Sequence, residues 1–109
     1  MRASNDDVVV FRCWKDSGDI IALFPEIPAD LHGRYCEAYE HVGQHGGADY
    51  WGVIQATVPT QAKDFADLAA ELDGIGYRLR VRRRASSHTH ENRRRAARQI
   101  VGFDTRLGR

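Results

Sequence analysis

The strongest constraint on the fold is a change in the spacing of apolar side chains between residues 59 and 82. In residues 60–72 these side chains recur at every third or fourth position, which is typical of a helix with one apolar face. They are Phe65, Leu68, Ala69 and Leu72. Residues 77–82 instead alternate apolar and arginine side chains, as the two faces of a half-buried strand do. The pattern predicts a helix packed on a sheet and a strand that follows it.

Local residue chemistry predicts where these two elements begin and end. Thr60 is expected to cap the helix N-terminus, because its hydroxyl can accept a hydrogen bond from a backbone N–H of the first turn. Gly74 is expected to end the helix, since glycine readily adopts the left-handed conformation found after helix C-termini. In the strand, the inward-facing side chains are predicted to be Tyr77, Leu79 and Val81.

Four further strands are predicted before the helix. They cover residues 8–14, 20–24, 35–42 and 51–58. Turn-forming residues at 15–19 should join the first two as a hairpin. Pro25 and Pro28 are expected to end the second strand, because proline cannot donate to a strand ladder. Residues 41–49 contain too many glycines for a stable helix or strand interior and are predicted to be a loop.

The predicted element order, β-β-β-β-α-β, fits an α+β domain formed by residues 1–84. The economical arrangement is a small antiparallel sheet with one helix packed on a face. The length of 109 residues is about that of one domain. Residues 85–109 are predicted to be an arginine-rich linker and tail helix. The narrow apolar stripe of this helix consists of Ala97, Ile100 and Val101. The sequence is compatible with a tail helix that docks on the domain and with one that folds only on a partner.

Hydropathy and cysteine usage predict a cytoplasmic protein. No apolar run approaches the roughly 18 residues needed to span a bilayer. Residues 1–7 lack the basic-then-apolar order of a signal peptide. Cys13 and Cys36 are far apart and form no CxxC motif. In a reducing compartment they are expected to be buried free thiols.

Charge is distributed unevenly along the chain. Residues 1–77 contain 5 Lys and Arg against 13 Asp and Glu, a net charge of −8. Residues 78–109 contain 11 Arg and no Lys against two acidic residues, a net charge of +9. Such asymmetry can indicate an interaction surface. The candidate contact residues are Arg78, Arg80, Arg82, Arg83, Arg84, Arg93, Arg94, Arg95 and Arg98.

Arginine side chains bind phosphate and carboxylate groups bidentately, so the expected partner is nucleic acid or an acidic protein surface. Only Tyr77 and Phe103 are identified as aromatic residues that could stack on bases near these arginines, and no RRM, KH or zinc-knuckle motif is present. The arginines could instead protect an edge strand from aggregation. They could also pair with acidic residues of the same chain or of a second copy in a homodimer.

A possible metal site is suggested by His41, His45 and Asp49, which are spaced four residues apart. Imidazole and carboxylate groups are suitable ligands for zinc and other first-row metals, and Cys36 could be a fourth ligand. The alternative is that the glycines form a tight turn and the histidines bond to backbone or solvent. The same glycines could also present backbone N–H groups to an anion, although no phosphate-loop motif accompanies them.

Three segments resemble a group of small bacterial hypothetical proteins of uncharacterised function. They are residues 20–28 (IIALFPEIP), residues 41–46 (HVGQHG) and residues 72–81. The resemblance covers roughly residues 8–84 and implies a shared domain, but it supplies no activity, substrate or catalytic residue. The members of that group end soon after the last strand, so this chain departs from their pattern from about Ala85.

The leading functional interpretation is a small non-enzymatic interaction module without a cofactor, which contacts nucleic acid through the arginine-rich last strand and tail. Two alternatives remain open. One is an inhibitor or regulator of the phage or mobile-element type, which binds a host protein. The other is a small metal-dependent enzyme that uses the loop at residues 41–49. Salt-dependent nucleic-acid binding, co-purification with a host protein and stoichiometric bound metal would distinguish the three.

Overall fold

The computed structural model describes the backbone of residues 6–41 and 44–107 and the side chains of residues 6–41 and 45–99. It confirms the predicted α+β class with a small antiparallel sheet. The elements in chain order are β1 (Asp7–Trp14), β2 (Ile20–Pro28), β3 (Cys36–Glu40), β4 (Gln44–Ala48), α1 (Tyr50–Ala56), β5 (Thr57–Pro59), α2 (Ala62–Ile75), β6 (Leu79–Val81) and α3 (Ser87–Leu107). Within the described part of the chain, no helix is long and apolar enough to cross a membrane.

The sheet is built around the β1–β2 hairpin that the turn at residues 15–19 predicts. Its strand order is β4-β3-β2-β1-β5, and β6 also pairs with β1. Neighbouring strands are antiparallel except for β6, which runs parallel to β1. The N-terminal part of β1 pairs with β6, whereas its C-terminal part pairs with β5. Both short strands therefore lie along the same edge of β1.

Apolar residues are buried on both faces of the sheet, because successive side chains of a strand point to opposite faces. The cluster beneath α2 consists of Val9, Phe11, Ala22, Phe24, Tyr39, Leu68 and Leu72. The cluster beneath α1 consists of Val10, Ile21, Leu23, Cys36, Ala38, Tyr50 and Val53. The predicted stripe of α2 is confirmed: Leu68 and Leu72 are buried, and the ring of Phe65 stacks on that of Phe11 at 4.2 Å.

The second strand was predicted to end before Pro25. It instead continues through Pro25 and ends at Pro28. The register between β2 and β3 shifts between Phe24 and Pro28. Proline is compatible with strands at such irregular positions, because the ladder there does not need its missing N–H. The carbonyl of Pro25 still accepts a hydrogen bond, from the side chain of Arg93.

Two expectations for residues 41–58 are wrong. The glycine-rich segment forms β4, an edge strand that pairs with β3, because pairing with an existing strand can offset the conformational cost of glycine. Gly47 also lies close to the loop that follows β2. A Cβ added at Gly47 would lie 3.1 Å from the Ala29 Cβ. Residues 42 and 43 lie outside the described part of the chain. Residues 51–58 form most of α1 and β5 rather than one strand.

Burial explains why a helix forms there. Tyr50 and Val53 are one helical turn apart and both pack into the cluster beneath α1. A seven-residue helix has little stability in isolation, so these tertiary contacts are needed to stabilise it. The β-branched and aromatic side chains of this segment predict a strand, but in the folded protein they pack from a helix into the core.

The ends of α2 and β6 differ from expectation by one or two residues. Gln61 rather than Thr60 occupies the N-cap position of α2. The helix continues through Gly74 and is ended by Gly76, whose φ of 125° is accessible to glycine. Val81 was expected to face the core but is 43% exposed, because β6 lies at the margin of the sheet.

The tail helix α3 begins at Ser87, near the start of the segment predicted to be a linker and tail helix (residues 85–109). It packs against β2. Ala97 of the predicted apolar stripe is buried, whereas the side chains of Ile100 and Val101 lie outside the described part. The loop after β2 approaches α3 closely at Gly33. A Cβ added there would lie 3.0 Å from the Arg94 Cα and 3.2 Å from the Ala97 Cβ.

Candidate functional site

An open groove of about 930 Å³ lies between α1 and the segment that joins β6 to α3. It is lined by Arg12, Tyr50, Trp51, Ile54, Pro59, Arg83, Arg84, Ala85 and Ser86. A cavity of about 340 Å³ adjoins it, since both share Trp51 and Ala85. The remaining residues of this cavity are Ser87, His90 and Arg94. We refer to the two cavities together as the arginine groove.

Arg12 of β1 supplies a buried positive charge in this groove. Its Nε donates to the Thr57 hydroxyl at 2.9 Å, and one terminal nitrogen donates to the carbonyls of Ile54 and Thr57 at 3.1 and 3.0 Å. These carbonyls lie at the C-terminus of α1, where a cation is favourable. Arg12 therefore holds α1 against the sheet while its guanidinium contributes positive charge to the groove.

Tyr50 fixes the segment that carries Arg83 and Arg84. Its hydroxyl accepts a hydrogen bond from the Ala85 N–H at 2.7 Å, and its ring is buried. Burial raises the pKa of the Tyr50 phenol, so the hydroxyl stays protonated at neutral pH. The connection between β6 and α3 is thereby attached to α1, and its two arginines line the groove.

Trp51 lines both parts of the arginine groove and is 59% exposed. Its ring meets that of Tyr50 edge-on, with centroids 5.2 Å apart, and lies 5.3 Å from that of His90. Trp51 was not among the predicted site residues, because residues 51–58 were predicted to form a strand. The available signal was the helical spacing of Tyr50 and Val53, which leaves Trp51 on another face of the helix.

Neither aromatic residue that the sequence suggested for base stacking occupies the groove. Tyr77 is half-buried and stacks on Phe24 with ring centroids 4.8 Å apart. The side chain of Phe103 lies outside the described part.

The nine candidate arginines do not form one surface. Arg83, Arg84 and Arg94 line the arginine groove. Arg80 lines a different cavity, which also contains three acidic residues, and Arg78 lies 3.6 Å from the carboxylate of Asp6. The remaining exposed candidates, which line neither cavity of the groove, are Arg82, Arg95 and Arg98.

The ninth candidate, Arg93, lies in the interior and is 4% exposed. Its guanidinium donates to the carbonyls of Gly33 and Pro25 at 2.8 and 2.7 Å and to His90 Nδ1 at 2.8 Å. Because arginine only donates, His90 Nδ1 must accept, so the neutral imidazole carries its proton on Nε2. Within the described residues, His90 Nε2 has no hydrogen-bond partner. Burial and the charges of Arg93 and Arg94 lower the pKa of His90.

The three proposed metal ligands do not come together: the two histidines bond to different residues, and Asp49 lies at the start of α1. His41 Nδ1 lies 2.7 Å from a carboxylate oxygen of Glu71, and His45 Nε2 lies 3.2 Å from the Tyr77 hydroxyl. Asp49 occupies the N-cap position of α1. Among the residues that the structure describes, no three His, Cys, Asp or Glu side chains are grouped as a metal site. Burial raises the pKa of Cys36 to about 11, which is unfavourable for a nucleophilic or ligating thiolate.

The charge of the arginine groove contrasts with that of a second groove, between the β1–β2 turn and α2. That groove, of about 390 Å³, is lined by Asp19, Ile20, Glu40, His41, Asp64, Asp67 and Leu68. Of the described residues that line the arginine groove, by contrast, four are arginines and none is acidic. These two grooves therefore differ in charge, whereas the cavity that contains Arg80 is lined by residues of both signs.

Fold and site together define a small α+β protein with a positively charged, partly aromatic groove. No protein-family model, curated protein or solved structure matches the chain. The chemistry of the groove itself is therefore the basis for assigning a function.

Proposed function

We propose that this protein is a small non-enzymatic binding module that contacts nucleic acid through the arginine groove. The observation that carries the proposal is the collection of Arg12, Arg83, Arg84 and Arg94 around one groove whose described lining has no carboxylate. Planar guanidinium groups bind phosphate oxygens bidentately. The groove is thus suited to a chain of phosphates rather than to a single charge.

The origin of the four arginines supports this interpretation. Arg12 belongs to β1, Arg83 and Arg84 follow β6, and Arg94 belongs to α3. Separate parts of the chain therefore place like charges beside one another, although residues 1–77 have a net charge of −8. Like charges repel one another, and attraction to the phosphates of a bound polyanion would offset this repulsion.

A salt titration tests the proposal. Fluorescence anisotropy should detect binding to a mixed-sequence oligonucleotide at about 50 mM salt, where the electrostatic contribution is strong. Affinity should fall as salt rises, with a log–log slope of about −0.7 to −0.9 for each neutralised phosphate. Arg83→Ala/Arg84→Ala should reduce the magnitude of this slope by roughly 1 to 2.

Arg95→Ala/Arg98→Ala is the matched control. It removes the same charge from exposed arginines that line neither cavity of the groove, so its slope should remain close to that of the unmodified protein. Equal slopes for the two double variants would place the contact elsewhere. Absence of binding to both DNA and RNA at about 50 mM salt would refute the proposal. Preferential binding to polyglutamate would favour an acidic protein partner.

A further inference from the structure

An exposed aromatic ring in the arginine groove is packed against two other rings. Trp51 is 59% exposed, but Tyr50 and His90 pack against its ring from α1 and α3. His90 is itself buried and is bonded to Arg93. The orientation of Trp51 is therefore supported by buried groups, while much of its surface is open to a ligand.

Arginines lie in both cavities that meet at Trp51. Arg83 and Arg84 line the larger cavity and Arg94 lines the smaller one, and Trp51 belongs to both. A flat apolar surface thus lines the same two cavities as these positive charges. In a nucleic-acid strand, each base is attached to a backbone with a phosphate on either side, so a matching combination occurs in the ligand.

We infer that the arginine groove binds single-stranded nucleic acid, with one base stacked on Trp51 and the adjoining phosphates bound by Arg83, Arg84 and Arg94. This inference rests on the proposed function and names its substrate class. Bases of a duplex are already stacked and paired, so their faces cannot reach a side chain, whereas a single strand can present them to an aromatic ring. Stacking tolerates any base, because every base has an aromatic face.

The first experiment uses a fluorescent signal from Trp51 itself. The chain has two tryptophans, Trp14 and Trp51, and Trp14→Phe leaves Trp51 as the only one. Titration with oligothymidylate of about 12 nucleotides should quench its fluorescence. An abasic strand of equal length, which keeps the phosphates but has no bases, should bind roughly 5- to 100-fold more weakly and leave the fluorescence nearly unchanged.

The second experiment compares variants on single strands and duplexes of the same length. Trp51→Ala should weaken binding to the single strand by roughly 5- to 100-fold and alter duplex binding little. Trp51→Phe should restore part of the lost affinity, because phenylalanine also stacks. Tyr35→Ala is the matched control, since Tyr35 is an aromatic residue that is 47% exposed and lines neither cavity of the groove.

The outcomes separate this inference from the proposed function. Equal affinity for the intact and abasic strands, or no effect of Trp51→Ala, would overturn the stacking inference. The proposed function would still stand if binding depended on Arg83 and Arg84. Tighter duplex binding that depends on Arg95 and Arg98 would also overturn it and place the contact on the exposed face of α3. Failure of every nucleic-acid probe to bind would refute both.

Discussion

At the scale of single residues, burial separates arginines that the sequence presents as equivalent. Arg93, Arg94 and Arg95 are consecutive on α3, yet Arg93 is buried and its two neighbours are exposed. A helix turns about 100° per residue, so neighbouring positions face different surroundings. Arg93 points towards the carbonyls of Pro25 and Gly33. It therefore stabilises the packing of α3, whereas Arg94 is available to a ligand.

Arg93→Ala is expected to destabilise the protein by about 3 kcal/mol or more. The substitution would remove the guanidinium donor from two backbone carbonyls and from His90 Nδ1, and each buried polar group left without a partner costs roughly 1–3 kcal/mol. The free energy of unfolding, measured with urea, tests this. Arg95→Ala, one of the exposed neighbours, should change it by no more than about 0.5 kcal/mol. Similar values for the two variants would show that the Arg93 bonds contribute little.

At the scale of secondary-structure elements, the position of α3 depends on a close approach to the loop between β2 and β3. Gly33 has a φ of 72°, and a Cβ there would lie 3.3 Å or less from three atoms of α3. Glu26 also accepts a hydrogen bond from the side chain of Asn92 at 2.7 Å. The close approach of the loop and the hydrogen bond from β2 therefore both contribute to the position of α3.

Gly33→Ala should destabilise the protein more than Gly18→Ala does. Both glycines have positive φ, at 72° and 79°, but Gly18 has open space where a Cβ would be. Gly18→Ala therefore measures the backbone strain alone, about 1–2 kcal/mol. Gly33→Ala adds the displacement of α3, and urea unfolding should show a larger loss for it. Equal losses would mean that α3 accommodates the added methyl group without cost.

At the scale of the whole molecule, the fold forms two grooves of opposite charge. The arginine groove lies beside α1. The second groove, which is lined by Asp19, Glu40, Asp64 and Asp67, lies beside α2. The two helices cover opposite faces of the sheet, since each packs on a different core cluster. A polyanion would therefore interact more favourably with the arginine groove than with the groove beside α2. The nearly neutral net charge of +1 does not reveal this arrangement.

The stability of the whole molecule should decrease on mild acidification because of His90. Burial, with the charges of Arg93 and Arg94, lowers the pKa of His90 in the folded protein; its other close contacts are the rings of Tyr50 and Trp51. The unfolded chain, with a pKa near 6.5, then binds more protons than the folded protein. Stability is therefore lost as pH falls from about 6.5 towards the lowered folded pKa.

Urea unfolding at several pH values between about 8 and 5 measures this loss. His90→Gln should reduce the dependence on pH, since glutamine does not titrate and can still accept a hydrogen bond from Arg93. His88→Gln is the control, because His88 is exposed on the same helix. Its replacement should leave the part of the pH dependence that comes from His90 unchanged. A pH dependence unchanged by His90→Gln would contradict the role assigned to His90.

The β1–β2 hairpin, the apolar face of α2 and the strand that follows it could all be predicted from the order of the residues. These features depend on the spacing of residues close together in the chain, such as Leu68 and Leu72, and local spacing decides which side chains share a face. Arg83, Arg84 and Arg94 of the groove could likewise be identified from the clustering of charge.

Four features could not be predicted, because they depend on contacts between distant parts of the chain: the strand β4, the helix α1, the burial of Arg93 and the exposure of Trp51. Glycine-rich β4 exists because β3 offers it a backbone to pair with, and α1 is stabilised by Arg12 and by burial of Tyr50. These interactions join residues far apart in the chain, and they can outweigh local propensities that amount to about 1 kcal/mol or less per residue. For the same reason, Trp51 and Arg12 could be assigned to the groove only after the fold had brought them beside Arg83 and Arg84.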